Sequence, residues 1–397
     1  MNLLDPITQA AAEIRAIRRD LHAHPELRYE EHRTSDVVAA KLAEWGIEVH
    51  RGLGGTGVIG TIKRGASKKS IGLRADMDAL PILEANTFAH ASKHAGKMHA
   101  CGHDGHTAML LGAAQYLARH PNFDGSVHLI FQPAEEGGAG AQKMIDDGLF
   151  EKFPCDAVFG MHNWPGLAVG QFGFAPGPMM ASGNQFFVTV TGKGAHAAMP
   201  NLGVDPVFVA IQIAQGLQGI VTRAKKPIDA AVLSITILKA GDATNVVPDT
   251  AQIAGTVRTF DDRVTDLIEE RMRRIAQLTA EAHGASAQVQ FDRYYPPTVN
   301  HAAETTFAAD VAADIVGETN VLRAVEPTMG SEDFSFMLRA RPGCYLWIGN
   351  GDGAHRAPGH GMGPCMLHNP SFDFNDELLP LGATYWVRLV EKFLAGK

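Results

Sequence analysis

Cysteine is scarce: four residues in 397, at positions 101, 155, 344 and 365, with no C-x-x-C pair. That spacing argues against a disulfide framework and fits reduced thiols in a cytoplasmic protein. Basic runs are missing too. Lysine and arginine total 35 against 43 aspartates and glutamates, a formal charge of −8 with a pI near 6.1. Nucleic acid is therefore not an expected partner, because phosphate binding needs clustered Lys and Arg. No continuous run of about 18 apolar residues is seen, so no membrane span is expected. The stretch "MNLLDPITQAAAEIRAIRRD" carries Asp5 early and lacks the basic start and apolar segment of a signal peptide. No internal repeat or low-complexity tract stands out.

What is there is an ordinary globular composition, 45% hydrophobic and 20% charged, in a chain long enough for two or three domains. Residues 5–45 read as two helices broken around His24-Pro25. Gly52, Gly54 and Gly57 match G-x-G-x-x-G, with Asp76 at about the distance a dinucleotide fingerprint asks. Val58-Ile59-Gly60-Thr61-Ile62 follows, a β pattern where that fingerprint requires a helix start, so a hairpin is expected instead. From "SIGLRADMDALP" to "AVFGMHNWP" the chain alternates buried strand, polar loop and helix. This is the pattern of a parallel α/β sheet, in which ligands collect at the C-terminal ends of strands. From Asn184 the order becomes βαββαβ, that of a ferredoxin-like sandwich. The expected organisation is an α/β domain formed by residues 1–183 and 295–397, interrupted by an inserted domain at 184–294.

Chemistry concentrates at strand ends. "HACGHDGHTA" (99–108) packs three histidines, a cysteine and an aspartate into ten residues, and these side chains bind transition metals. Cys101 and His103, two apart, converge on one point only in an extended or turned backbone, which the flanking glycines permit. Further along stand Glu135 and Glu136, then His162, then His368 in "MLHNP". Two adjacent glutamates are costly together unless a cation balances them or one stays protonated. No local zinc motif such as H-E-x-x-H is present. The residues by themselves indicate a metallohydrolase in an α/β fold.

The segments "RRDLHAHPEL", "LRADMDALP", "HACGHDGHTAMLLGAA", "FQPAEEGGAGAQKMIDDGL", "MHNWP", "GKGAHAAMP", "TNVVPDTAQIAGTVRTF", "GSEDFSFM" and "LHNP" occur in this order. Together, from about residue 15 to 390, they resemble the metal-dependent amidohydrolases of the aminoacylase and carboxypeptidase superfamily. The likeness is to the branch of hippurate hydrolases, N-acyl-amino-acid amidohydrolases and auxin-conjugate hydrolases. It implies a zinc-peptidase-like catalytic domain, with a mixed central sheet flanked by helices, and an inserted ferredoxin-like α+β lid and dimerisation domain. It implies two divalent metal ions (Mn, Zn, Co or Ni) bridged by Cys101, with His103 and His162 completing one site and Glu136 and His368 the other. Asp76 and Asp78 stand where relatives carry a His-x-Asp motif; that histidine is lacking here and His103 is expected to replace it, which leaves Asp76 and Asp78 as groups that support the ligands and Arg74 without a role.

The implied reaction is attack of an activated water on an amide carbonyl, with Glu135 as general base and His196 stabilising the oxyanion. Arg258, with Asn245 beside it, would hold the substrate's α-carboxylate. Trp164, Phe172, Phe174, Met179 and Met180 are available for an apolar wall. The substrate expected is an N-acyl-amino acid with an aromatic or aliphatic acyl group, acted on by a homodimer or higher homo-oligomer. Open alternatives are an N-acetyl-amino-acid or N-acetyldiaminopimelate deacetylase, an aminobenzoyl-glutamate hydrolase and a small-peptide carboxypeptidase. A non-catalytic metal-binding relative is the reading from another class, and an intact Glu135 speaks against it.

Overall fold

A computed structural model describes residues 1–395. Twelve strands organise it: β1 Glu48–Leu53, β2 Gly57–Arg64, β3 Ser70–Asp76, β4 Gly125–Gln132, β5 Ala157–Pro165, β6 Phe172–Gly173, β7 Gly183–Thr191, β8 Ala231–Ala240, β9 Thr250–Thr259, β10 Ser286–Tyr295, β11 Val321–Leu322 and β12 Gly343–Gly351. Residue contacts divide the chain into two compact units. The first comprises Met1–Met179, Val299–Glu326 and the described residues from Asp333 onward; the second comprises Met180–Thr298 and Pro327–Glu332. The second unit thus starts before and ends after the expected 184–294, and it takes a short return segment as well.

The first unit is built on one eight-stranded sheet in the order β1-β2-β4-β3-β5-β12-β6-β11. Its centre, β4-β3-β5-β12, is parallel. The β1–β2 hairpin joins β4 antiparallel, and β6 runs antiparallel to β12. The sheet is therefore mixed, where the strand–loop–helix alternation of residues 70–165 alone suggests a parallel one. The hairpin expected around the glycine cluster is present, with Gly54 and Gly55 in its turn at φ 64° and 87°. All seven residues of β3 are buried, as a strand covered by helices on both faces requires.

Helices Asp5–Gln9, Ala11–Ala23 and His32–Glu44 open the chain. The first of the two expected helices is split at Ala10, whose N–H closes onto Pro6 O before a new helix begins. Helix His103–Arg119 packs on β3 and against the last helix, Leu378–Phe393. Gly382 sits at their closest approach: a Cβ there would stand 2.1 Å from Met109 Sδ. Met109, Leu110, Leu111, Tyr385 and Trp386 belong to the core between these helices and the sheet.

The second unit is a four-stranded antiparallel sheet in the order β8-β9-β7-β10, with helices Pro206–Gly219 and Asp262–Ala282 packed on it. On β7, Phe186, Val188 and Val190 point into the core while Phe187 and Gln185 are exposed, the period-two pattern of a sheet with one covered face. The stretch Pro206–Ala224, 19 residues, is long and apolar enough by length and composition to cross a membrane. Val209, Ala210, Ile213, Leu217 and Ile220 of that stretch lie in the core of this unit, while Phe208 and Ile211 are exposed.

Candidate metal centre

The site grows from the C-terminal ends of β3, β4 and β5. Arg74 and Asp76, two apart on β3, project from the same face and are both buried. Arg74 Nη1 donates to Asp76 Oδ2 at 2.7 Å, Nη2 to Asp333 Oδ1 at 3.1 Å and Nε to Gln132 Oε1 at 2.7 Å. His106 Nδ1 lies 2.6 Å from Asp76 Oδ1, and His106 Nε2 accepts the Asn163 N–H at 3.0 Å. Buried charge is tolerable only when paired and hydrogen-bonded in this way. Arg74, His103 and His106 hold the Asp76 carboxyl well below its usual range, against the effect of burial.

The metal loop turns on Gly102. Its φ of 94° is left-handed, and a Cβ would fall 2.3 Å from Asn163 Oδ1, so the position requires glycine. The turn brings Cys101 to the helix start beside His103. His103 Nδ1 donates to Asp78 O at 2.8 Å, which fixes the tautomer and leaves Nε2 buried with no hydrogen bond among the described residues. His162 does the same from β5: Nδ1 donates to Asn163 O at 2.7 Å, and Nε2 stands 3.3 Å from Cys101 Sγ.

After β4, Ala134 enters the left-handed region at φ 54° and starts the Glu135–Glu136 turn. Three backbone N–H groups of this turn are held by buried carboxyls. Glu31 accepts from Ala134 at 2.8 Å; Asp78 accepts from Glu135 at 3.0 Å and from Glu136 at 2.9 Å. Glu31 also accepts from Thr56 Oγ1 at 2.6 Å, and burial raises its pKa. His368, left-handed at φ 62°, donates its backbone N–H to Ala100 O at 2.7 Å and so is tied to the metal loop. Its Nε2 lies 3.2 Å from Glu136 Oε1, yet that buried oxygen makes no aligned hydrogen bond. The two donors converge without bonding each other.

Among the groups whose donor atoms all lie within 4.8 Å of one another are Cys101, His103 and His162, and Cys101, Glu136 and His368. Cys101 belongs to both, and Glu135 clusters with His103 and Glu136. The donors fit two divalent ions. Burial and the neighbouring Glu136 and Glu135 push the Cys101 thiol well up, so a thiolate there requires added positive charge. Burial disfavours a protonated His103, but Asp76 and Asp78 raise it to about 10, a sign of the same shortage of cations. Burial and His106 keep His162 well below its ordinary value, neutral and able to ligate.

The other expected site residues lie in the second unit. His196 is exposed and pairs with Val246 on a two-residue ribbon, and Ala197 N–H donates to Asn245 O at 3.0 Å, so His196 and Asn245 are neighbours. Arg258 is on β9, half-buried; its Nη1 donates to Asn184 O at 3.2 Å, and the guanidinium lies over the Tyr294 ring at 5.7 Å. Of the apolar-wall candidates, Phe172, Phe174 and Met179 are fully buried, Met180 is buried too, and Trp164 alone keeps a half-exposed face. Sequence reasoning missed the supporting roles of Glu31, Asn163 and Asp333, whereas Asp78 was expected to support the ligands and does so through the Glu135 and Glu136 N–H groups. Asp78 had a signal, its place in "DMDALP"; Glu31 had none, because its partner Ala134 is 103 positions away.

Residues 72–392 match the profile of peptidase family M20/M25/M40. The hippurate hydrolase of Campylobacter jejuni is 42% identical over 394 residues, covering 99% of this chain and 100% of that protein. An N-acetylcysteine deacetylase of Bacillus subtilis is 40% identical over 375 residues, 94% of each chain. The crystal structure of a dinuclear metal-binding peptidase of Bacillus subtilis superposes with a TM-score of 0.83 at 36% identity, over 98% of this chain and 99% of that one.

Proposed function

The chain belongs to peptidase family M20/M25/M40, and from that membership we infer that it hydrolyses the amide bond of N-acyl-amino acids of the hippurate type, releasing a carboxylic acid and a free amino acid. The observation that carries the reading is the pair of donor clusters sharing Cys101, with the buried Glu135 beside them. Two divalent ions held by Cys101, His103, His162, Glu136 and His368 supply, when bound, Lewis acidity toward the carbonyl and the water.

The remaining work falls to the chain itself. Glu135 takes the proton of the attacking water and returns it to the leaving amine, while Asp78, gripping the N–H groups of Glu135 and Glu136, fixes the carboxylate's position. His103 and His162 are oriented by hydrogen bonds through their other ring nitrogens. We assign the second unit the part of a ferredoxin-like lid, with His196 donating to the developing oxyanion and Arg258 and Asn245 holding the α-carboxylate. A homodimer through this unit is supported by Ile237 and Leu238, exposed on the edge strand β8, and by Phe208 and Ile211 on helix Pro206–Gly219. Four free cysteines support a cytoplasmic setting.

The test loads metal-free protein with Mn, Zn, Co or Ni and assays N-benzoyl-, N-acetyl- and aminobenzoyl-amino acids and dipeptides. N-benzoylglycine should be cleaved fastest. Preference for N-acetyl substrates would move the assignment to a deacetylase, and no cleavage of any N-acyl-amino acid would overturn it.

A further inference from the structure

We propose that Trp164 and Trp347 form the floor of a subsite for an aromatic acyl group, next to the metal centre. The inference rests on the N-acyl-amino-acid reading above and names the part of the substrate this surface takes. His162 and Trp164 are two apart on β5, so both side chains leave the same face of the sheet. Trp347 on β12 is in register with His162, which places its indole on that face as well. The two indoles stack with centroids 3.9 Å apart and planes 10° from parallel. His162 meets the Trp164 ring at 6.3 Å, nearly edge-on. A flat aromatic surface therefore begins two residues along the strand from the His162 imidazole.

Its two members are held differently. Trp347 is 3% exposed and is also in register with Gly173 on β6, where an added Cβ would lie 3.5 Å from its Cε3. Trp164 keeps a half-exposed face, supported from behind by Trp347. Trp347 Nε1 is buried with no hydrogen bond among the described residues. An unmatched donor makes indole a poor choice for packing alone, and what indole adds over smaller side chains is flat area. The other apolar-wall candidates are spent in the interior. A benzoyl-sized group has a face to stack on Trp164, whereas an acetyl group has none.

The experiment compares Trp164→Ala, Trp164→Leu and Trp164→Phe with wild type on N-benzoylglycine and N-acetylglycine. The benzoyl-to-acetyl ratio of kcat/KM should fall at least about tenfold in the alanine and leucine variants and be largely kept by phenylalanine, which retains a planar face. Calorimetric binding of the same two compounds in a Glu135→Gln background should show the same loss of preference without turnover. A ratio unchanged in metal-replete Trp164→Leu would overturn the subsite, and leucine serves if the alanine variant does not fold. Should wild type cleave no N-acyl-amino acid, the functional reading fails; the binding ratio then decides the subsite separately.

Discussion

The metal loop of the first unit and the His196 ribbon of the second make opposite uses of polar side chains. Around Cys101 the donors His103 and His162 are buried with it and each is oriented by a second hydrogen bond, while Glu136 is half-buried and His368 exposed. His196 is exposed, its Nδ1 accepting only the nearby Ala198 N–H at 3.1 Å. A site built as the first is binds ions in a fixed geometry; groups placed as the second are free to meet a ligand. The difference matches the proposed division of labour, in which bond cleavage falls to the first unit and recognition to the second.

The strongest way to break that division is to substitute within the first unit. Glu135→Gln should leave metal content and melting temperature unchanged while kcat falls by roughly 10² or more, the scale of a lost general base. Glu136→Gln should instead lose metal, because the Glu136 carboxylate belongs to one donor cluster with Cys101 and His368. Cys101→Ala, which removes the donor common to both clusters, should lower metal stoichiometry and abolish turnover. Metal analysis of the three purified variants decides. Equal metal loss in Glu135→Gln and Glu136→Gln would erase the distinction between base and ligand.

Substitutions in the second unit should be milder and leave metal untouched. His196→Ala should lower kcat by about 10²-fold if it donates to the oxyanion. Arg258→Ala should raise KM for the free acid by about ten- to a hundredfold, the value of a charge-assisted contact of roughly 1.5–3 kcal/mol. An amide of the same substrate, with no carboxylate to hold, should be affected far less. The informative quantity is the acid-to-amide ratio of kcat/KM in wild type and in Arg258→Ala. If that ratio does not move, Arg258 does not read the carboxylate, and its place over Tyr294 is packing.

Much of this division was legible in the chain itself, for a physical reason. Ligand types gathered in short strings such as "HACGHDG" advertise their chemistry locally, and the switch from strand–loop–helix to βαββαβ order announces a second unit. What stayed hidden depends on distant partners. Glu31 and Ala134 are 103 positions apart, and Arg74 and Asp333 are 259 apart, and neither pairing has a local signature. The mixed sheet was hidden likewise, because the pairing of β2 with β4 and of β6 with β12 is set by tertiary packing and not by periodicity. Trp164 could not be told from Phe172 or Met179 as a wall residue, since an apolar strand reads the same whether its last side chain ends inside or at the surface.

The smallest expected effect separates the two units by acid. His128 on β4 is 3% exposed, with Nδ1 accepting from Thr61 Oγ1 at 3.1 Å. Burial, helped by the Lys63 charge, pushes it down to about 4. Its unfolded value is about 6.5, so between those two values the unfolded chain takes up a proton that the folded one refuses. The neutral ring's contribution is complete above pH 6.5 and is lost as pH falls toward 4, up to about 3 kcal/mol across the window. His22 works in the other direction. Burial disfavours its charge, but Asp104 raises it to about 9, so its contribution holds below pH 6.5 and fades as pH rises through 9. The second unit has only His196 and His283, both exposed. Hydrogen exchange on metal-free protein at pH 7 and pH 5 should therefore show protection falling in the first unit and holding in the second. In His128→Asn, which can still accept from Thr61, the acid loss should be shallower by about one proton's worth of slope. The same slope in that variant and in wild type would remove His128 from the account and leave the acid sensitivity to other buried histidines such as His99, which burial also pushes down to about 4.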